Sequence, residues 1–366
     1  MKNRFFYAQL AIIACVLSLI SCKATSTGQE VKTVDPKVKN IIYMIGDGMG
    51  LTQITALAEK NDFKPLNLER AEYIGLAKTY SKSHKVTDSA ASGTALATGS
   101  KTYNGAIGVD IDKKPLESIL KKSVKKGLRT GLIATHAIVD ATPAAFIANV
   151  EHRDMKYDIA ADFLKTDIDL FIGGGREFFN QREDGRDLMN ELSQKGFHVA
   201  TTLDDVLNSK NTKIAGLLSE GDMPSMLEGR GDYLPQVTEK ALNVLNENND
   251  KGFFIMVEGS MIDRGGHKNN YDMVVTETED FDNAIRVAFD FADKNPGTLV
   301  VVTADHETGG LTLKKSKENI KPEFSTGGHT ATYVPIYAYG TGAKEFSTFM
   351  ENKDIPMIMS KQLSLN

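Results

Sequence analysis

Three short apolar runs constrain this chain most: Ile41-Ile-Tyr-Met-Ile45, Phe253-Phe-Ile-Met-Val257 and Leu299-Val-Val-Val-Thr303. Each has the length of one strand and is apolar at nearly every position instead of alternating. That is the pattern of a strand covered on both faces within a parallel sheet. Each also runs directly into charge. Asp47 follows the first run between glycines, Glu258 closes the second, and Asp305-His306 follows the third. Open parallel sheets place their chemistry just beyond the carboxyl ends of their strands.

The rest of the chain fits that frame. Further strands are expected over residues 74–80, 129–134, 169–172 and 333–339, and helices over 89–98, 116–126, 234–246 and 272–292. This βαβα alternation predicts an α/β fold, a mostly parallel central sheet with helices on both faces. The polar, Gly-rich stretch 319–332 reads as one long return loop between late strands. Gly173-Gly174-Gly175 reads as a structural turn, because neither a dinucleotide nor a P-loop pattern surrounds it.

The N-terminus carries a different signal. Lys2 and Arg4 precede an apolar stretch from Phe5 to Ile20, which ends in Leu19-Ile20-Ser21-Cys22. A basic start and a short apolar core make an export signal. Small residues before a cysteine resemble a bacterial lipoprotein signal, which implies lipid on Cys22. The expected organisation is a signal over 1–21, a polar tether over 22–35, and a single catalytic domain over 36–366. The protein is then exported to the periplasm or cell envelope and anchored to a membrane by its lipid. With Cys15 removed and Cys22 lipidated, the mature domain has no thiolate, so a zinc site must use histidine and carboxylate. A net charge of -5 gives no basis for nucleic acid as an obligate partner.

The candidate residues gather in short motifs. Asp263 and His267 are four apart, so one helical turn aims both at one point. His329, between Gly328 and Thr330, is accessible and placed to close a metal site. Ser89, at the head of the alanine-rich stretch 89–98, reads either as an N-cap or as a nucleophile beside the positive end of a helix. Asp140 and Thr142 offer hard oxygen ligands suited to magnesium. Arg153 offers a planar fork for two phosphate oxygens. His84, His136, His152 and His198 lack such a neighbourhood and read as structural or exposed.

Taken together, these stretches resemble the bacterial and animal alkaline phosphatases. The resemblance runs through Ile-Gly-Asp47-Gly-Met-Gly, Thr-Asp-Ser89-Ala-Ala-Ser, Asp140-Ala-Thr142-Pro with Arg153, Glu258-Gly-x-x-Ile-Asp263-x-x-x-His267, Thr-Ala-Asp305-His306-Glu-Thr-Gly-Gly, and Gly-His329. It keeps that family's motif order and implies its three-layer sandwich. It also implies two Zn2+ and one Mg2+. One zinc would be held by Asp263, His267 and His329, and the other by Asp47, Asp305, His306 and the Ser89 oxygen. Magnesium would sit on Asp47, Thr142 and Glu258, with Asp140 reaching it through water. Ser89 would be the nucleophile of a phosphate monoester hydrolase and Arg153 its phosphoryl clamp; a homodimer is a further implication. Arg264 and Asp140 stand where members of the family differ. The competing readings are a two-metal phosphodiesterase or sulfatase-like hydrolase, and a non-catalytic phosphate- or metal-binding lipoprotein.

Overall fold

The computed structural model describes residues 37–317 and 319–365, which group as one compact unit. The signal-like segment, the tether and Cys22 lie outside the described residues. Fourteen strands follow one another: β1 Asn40–Gly46, β2 Tyr73–Lys78, β3 Arg129–Ala137, β4 Leu170–Gly174, β5 His198–Ala200, β6 Ile214–Leu217, β7 Phe253–Gly259, β8 Thr298–Thr303, β9 Glu307–Thr308, β10 Leu311–Ser316, β11 Asn319–Phe324, β12 His329–Thr330, β13 Val334–Gly340 and β14 Phe349–Glu351. Ten of them form one sheet in the order β14-β2-β13-β8-β1-β7-β3-β4-β6-β5. Within it β13 runs against both its neighbours, and every other pairing is parallel.

The three continuous apolar runs lie side by side at the centre. β1 pairs with β7 on one side and β8 on the other, and all residues of the three strands are buried. Continuous apolar sequence is needed there because helices cover both faces. The helix Tyr271–Lys294 supplies part of that cover, with Val274, Phe281, Ile285, Ala288 and Phe289 buried along one stripe. Elsewhere, Phe146 packs edge-on against Tyr43 and stacks on Phe254. Phe163, Phe171 and Phe179 form a second aromatic cluster. Each such buried ring contributes roughly 1.5–3 kcal/mol of apolar transfer.

Register fixes what converges. Ile45 stands opposite Glu258 on one side and Thr303 on the other, and Glu258 stands opposite Ala134 of β3. The carboxyl ends of β8, β1 and β7 are therefore level, β3 runs on to Ala137 beside them, and the segments that follow open onto one rim. Gly173 and Gly174 close β4 of this sheet, and Gly175 turns the chain out of it with φ +87°. A Cβ on Gly174 would come within 2.4 Å of the Gly221 carbonyl, so the glycine permits a close backbone approach and the structural reading holds.

One expectation is corrected. Residues 319–332 are not a single loop, because β10 and β11 pair as an antiparallel hairpin and β12 pairs with β9. Leu311 and Leu313 alternate with polar residues and stand opposite Phe324 and Pro322. A two-stranded ribbon needs only half an apolar pattern, and lysines mask it here.

Candidate active site

Asp47 leaves β1 in a turn that requires glycine. Gly48 has φ +72°, and a Cβ there would lie 2.8 Å from Asp263 Cα and 2.9 Å from Thr308 Oγ1. The turn is thus pressed against two other loops of the rim. Gly48 N donates to Asp305 Oδ1 at 3.1 Å, and Asp47 N donates to Gly259 O.

Around Asp47 the first group assembles. Asp47, Asp305 and His306 are all buried and bring one ligand atom each within 4.8 Å of the others. His306 Nε2 is 3.0 Å from Asp305 Oδ2 and 3.6 Å from Asp47 Oδ1. Asp47 Oδ1 and Asp305 Oδ2 are buried with no aligned hydrogen bond. Burial, then the charges of Asp305, Asp263 and Glu258, push the Asp47 carboxyl well above its usual range. Buried anionic oxygens left in this state call for a cation.

Ser89 joins this group. Its Oγ lies 3.2 Å from His306 Nε2. The helix Ser89–Thr98 is capped by Asp88, whose carboxylate accepts from Ala91 N and Gly105 N, each at 2.9 Å. The N-cap reading of Ser89 is therefore corrected. Asp88 takes that task, and the Ser89 hydroxyl faces the rim from the first helical position.

The second group is Asp263, His267 and His329. The helix Met261–His267 sets Asp263 Oδ2 3.2 Å from His267 Nε2. The short β12–β9 pairing puts His329 opposite Thr308, with its Nε2 3.6 Å from Asp263 Oδ1 and 3.2 Å from His267 Nε2. Backbone carbonyls fix both rings. His267 Nδ1 donates to Gly327 O at 2.7 Å and His329 Nδ1 to Thr87 O at 2.8 Å. Both Nε2 atoms are left for the space beside Asp263, the arrangement by which carbonyls orient metal-binding imidazoles. Burial and the neighbouring His306 push His329 down to about 4, which favours the neutral, ligating form.

Glu258, Thr142 and Asp140 form the third group. Asp140 occupies the N-cap position of the helix Ala141–Ile147 but makes no capping hydrogen bond. The Thr142 and Ser260 hydroxyls face Glu258 without an aligned bond, leaving Glu258 Oε2 and Thr142 Oγ1 buried and unpartnered among the described residues. Burial, with Asp140 and Asp305 adding to it, pushes Glu258 up to about 8. With Asp47, these are hard oxygen donors of the kind magnesium takes.

Arg153 lies in the loop between that helix and the helix Lys156–Asp162. Its guanidinium is 3.6 Å from both Asp88 and Asp140, held between two carboxylates without being consumed by either. All eleven residues singled out from the sequence therefore open onto the same rim. Several that matter were missed. Glu307 is buried and accepts from Gln53, Gly310, Leu311 and Thr330, which fastens β12 and hence His329. Thr308 Oγ1 donates to Asp263 Oδ1 at 2.5 Å. His136, expected to be structural or exposed, is buried 3.2 Å from Asp140. The only signal available was its place four residues before Asp140.

Comparison with known proteins agrees with this geometry. The sequence profile described as alkaline phosphatase matches residues 38–323. Alkaline phosphatase 3 of Bacillus subtilis is 32% identical over 94% of this chain and 93% of its own length. Alkaline phosphatase 4 of the same organism is 39% identical over 77% of the chain, a match spanning 64% of that relative. The alkaline phosphatase of the Antarctic bacterium TAB5 superposes with a TM-score of 0.85 at 41% identity, covering 90% of this chain and 99% of that one. A variant of the TAB5 enzyme holds magnesium in its M3 site.

Proposed function

This chain belongs to the alkaline phosphatase family, and from that premise we propose that it hydrolyses phosphate monoesters through a phosphoserine at Ser89, releasing inorganic phosphate. The family is metal-dependent, and the donor sets fit metal. The observation that carries the reading is the Ser89 hydroxyl, 3.2 Å from His306 Nε2, at the rim where two groups of metal-ligating side chains meet.

Asp263, His267 and His329 would hold one zinc; Asp47, Asp305, His306 and the Ser89 oxygen would hold another; Asp47, Thr142 and Glu258 would hold magnesium, with Asp140 behind it. When bound, these cations supply the positive charge that acidifies a hydroxyl and offsets a departing alkoxide. The chain itself does the positioning. Arg153 grips two non-bridging oxygens of the phosphoryl group as a fork, preset by Asp88 and Asp140. The first turn of the helix Ser89–Thr98 adds free amides and the positive end of its dipole. Ser89 Oγ forms a bond to phosphorus as the bond to the leaving alcohol breaks, and the alcohol takes a proton. Water then attacks the phosphoserine, releasing phosphate and restoring the hydroxyl.

A phosphodiesterase or sulfatase-like reading is disfavoured by the Asp140, Thr142 and Glu258 group, which crowds the space for a second ester arm. The residues around Cys22 support an exported, lipid-anchored protein of the periplasm or cell envelope, and the resemblance to the family supports a homodimer. No helix among the described residues is long and apolar enough to cross a membrane. Labelled palmitate that still enters a Cys22→Ser variant would refute the anchor. The function is tested by comparing a nitrophenyl phosphate monoester with its diester, with and without chelator. Faster monoester cleavage that chelation abolishes is expected; a faster diester reaction would refute the assignment.

A further inference from the structure

Asp140 behaves unlike the residue its position calls for. An aspartate at an N-cap ordinarily accepts from an amide of the first turn, yet this carboxylate makes no such bond. It is drawn sideways into a ring of cationic and imidazole groups. Arg153 Nη2 lies at 3.6 Å, Lys156 Nζ at 3.7 Å and His136 Nδ1 at 3.2 Å. Of these His136 is the one fully enclosed, at 3% exposed. Among the described residues its Nδ1 has no other partner, and its alignment with Asp140 is incomplete.

The far side of the His136 ring is anchored firmly. Nε2 lies 2.9 Å from Asp222 Oδ2 and 2.8 Å from Arg264 Nη2, while Arg264 donates to Asp222 at 3.1 Å. Asp222 sits in the loop after β6, which is tied down twice. Gly175 N donates to Gly221 O at 2.7 Å. Arg230, buried, donates to Pro224 O and pairs with Glu277 and Asp280 of the helix Tyr271–Lys294. A locked loop thus holds Asp222, which with Arg264 holds the imidazole, whose free nitrogen points at Asp140.

We infer that His136, backed by Asp222, is a positioning residue of the metal centre: it sets the direction of the Asp140 carboxylate and through it the hold of the Asp140, Thr142 and Glu258 face on magnesium. The inference rests on the proposed function. Outer groups of this kind ordinarily change metal affinity without touching the metal.

Magnesium titration of the zinc-loaded full chain by calorimetry, together with the magnesium-dependent rise in Tm, tests it. His136→Ala is expected to weaken magnesium binding by roughly 10- to 100-fold, with zinc content kept. His136→Asn, whose amide nitrogen stands close to the place of Nδ1, is expected to recover most of that loss. Asp222→Asn is expected to show a smaller loss in the same direction and serves if His136→Ala does not fold. A His136→Ala protein that binds magnesium as tightly as the parent overturns the inference. So does an Asn variant no better than Ala, or a lower Tm with unchanged affinity. A parent protein that binds no magnesium or cleaves no monoester would instead refute the functional reading itself.

Discussion

The imidazole of His306 stacks on that of His329, with ring centroids 3.5 Å apart and planes 18° from parallel. One ring belongs to the group around Asp47 and Asp305, the other to the group around Asp263 and His267. Two sets of ligands contributed by distant parts of the chain thereby share a wall. Ser89 touches that wall through His306, so its hydroxyl lies beside the group around Asp47 and Asp305.

Ser89→Ala should remove the nucleophile and leave the rim standing, since Asp88 caps the helix. Turnover should fall on the order of 10³-fold or more, as for other nucleophile deletions, and no labelled phosphoenzyme should be trapped on acid quench. Persistent trapping would move the nucleophile elsewhere.

Arg153→Ala should cost about 1.5–3 kcal/mol of phosphoryl binding, the range for a charge-assisted hydrogen bond. Inhibition by inorganic phosphate should weaken in proportion. Zinc content should be unchanged, because Arg153 contacts Asp88 and Asp140 but none of the imidazoles. Zinc lost with the arginine would make its role structural.

Gly48→Ala should damage the centre from a distance. The glycine has φ +72°, and the added methyl would meet Asp263 Cα at 2.8 Å. Strained backbone of this sort costs roughly 1–3 kcal/mol, and the displacement of Asp263 should loosen zinc. Lower Tm and faster zinc release to a chelator are the expected readouts; wild-type values in both would show that the three loops are not packed as described.

Metal-stripped protein should lose stability as pH rises from about 6.5 to about 8. Glu258 is pushed up to about 8, chiefly by burial, and Asp47 is raised by burial and Asp305. His267 is raised by its bond to Asp263. His306 is raised because Asp305 and Asp263 outweigh its burial. All four hold protons more tightly folded than unfolded, so the stability they contribute is present at low pH and lost on going up. His329, pushed down to about 4, has the opposite sign, but its effect is complete once pH passes the ordinary histidine value of 6.5. Asp263 and Asp305 are held low and have finished titrating by then. Bound cations favour the ionised carboxylates in the fold, so the metal-loaded curve should stay flatter. Tm against pH, with and without chelator, checks this; a stripped protein that gains stability across that window would contradict it.

How much of this was legible in the sequence follows from where the information lies. β1, β7 and β8 could be read because a strand covered on both faces must be apolar throughout, and their acidic residues follow within a few positions. Asp263 and His267 could be read from helical spacing alone. β11, inside the expected loop 319–332, escapes sequence reading because polar residues fill half of it and its partner β10 carries lysines at its outward positions. Ser89 reads from sequence as a cap or a nucleophile, and Asp88 decides it: its carboxylate takes the Ala91 amide of the first turn together with the Gly105 amide, which only the folded chain brings near. His136 was passed over because its partners, Asp222 and Arg264, come from segments more than eighty residues away, and no local pattern encodes them.

The most direct test of a centre built from these residues is elemental analysis of dialysed protein, run in parallel with monoester hydrolysis. Expected is activity that tracks bound zinc and magnesium, vanishes on chelation and returns when both ions are restored. Undiminished turnover by protein holding no stoichiometric metal would contradict it.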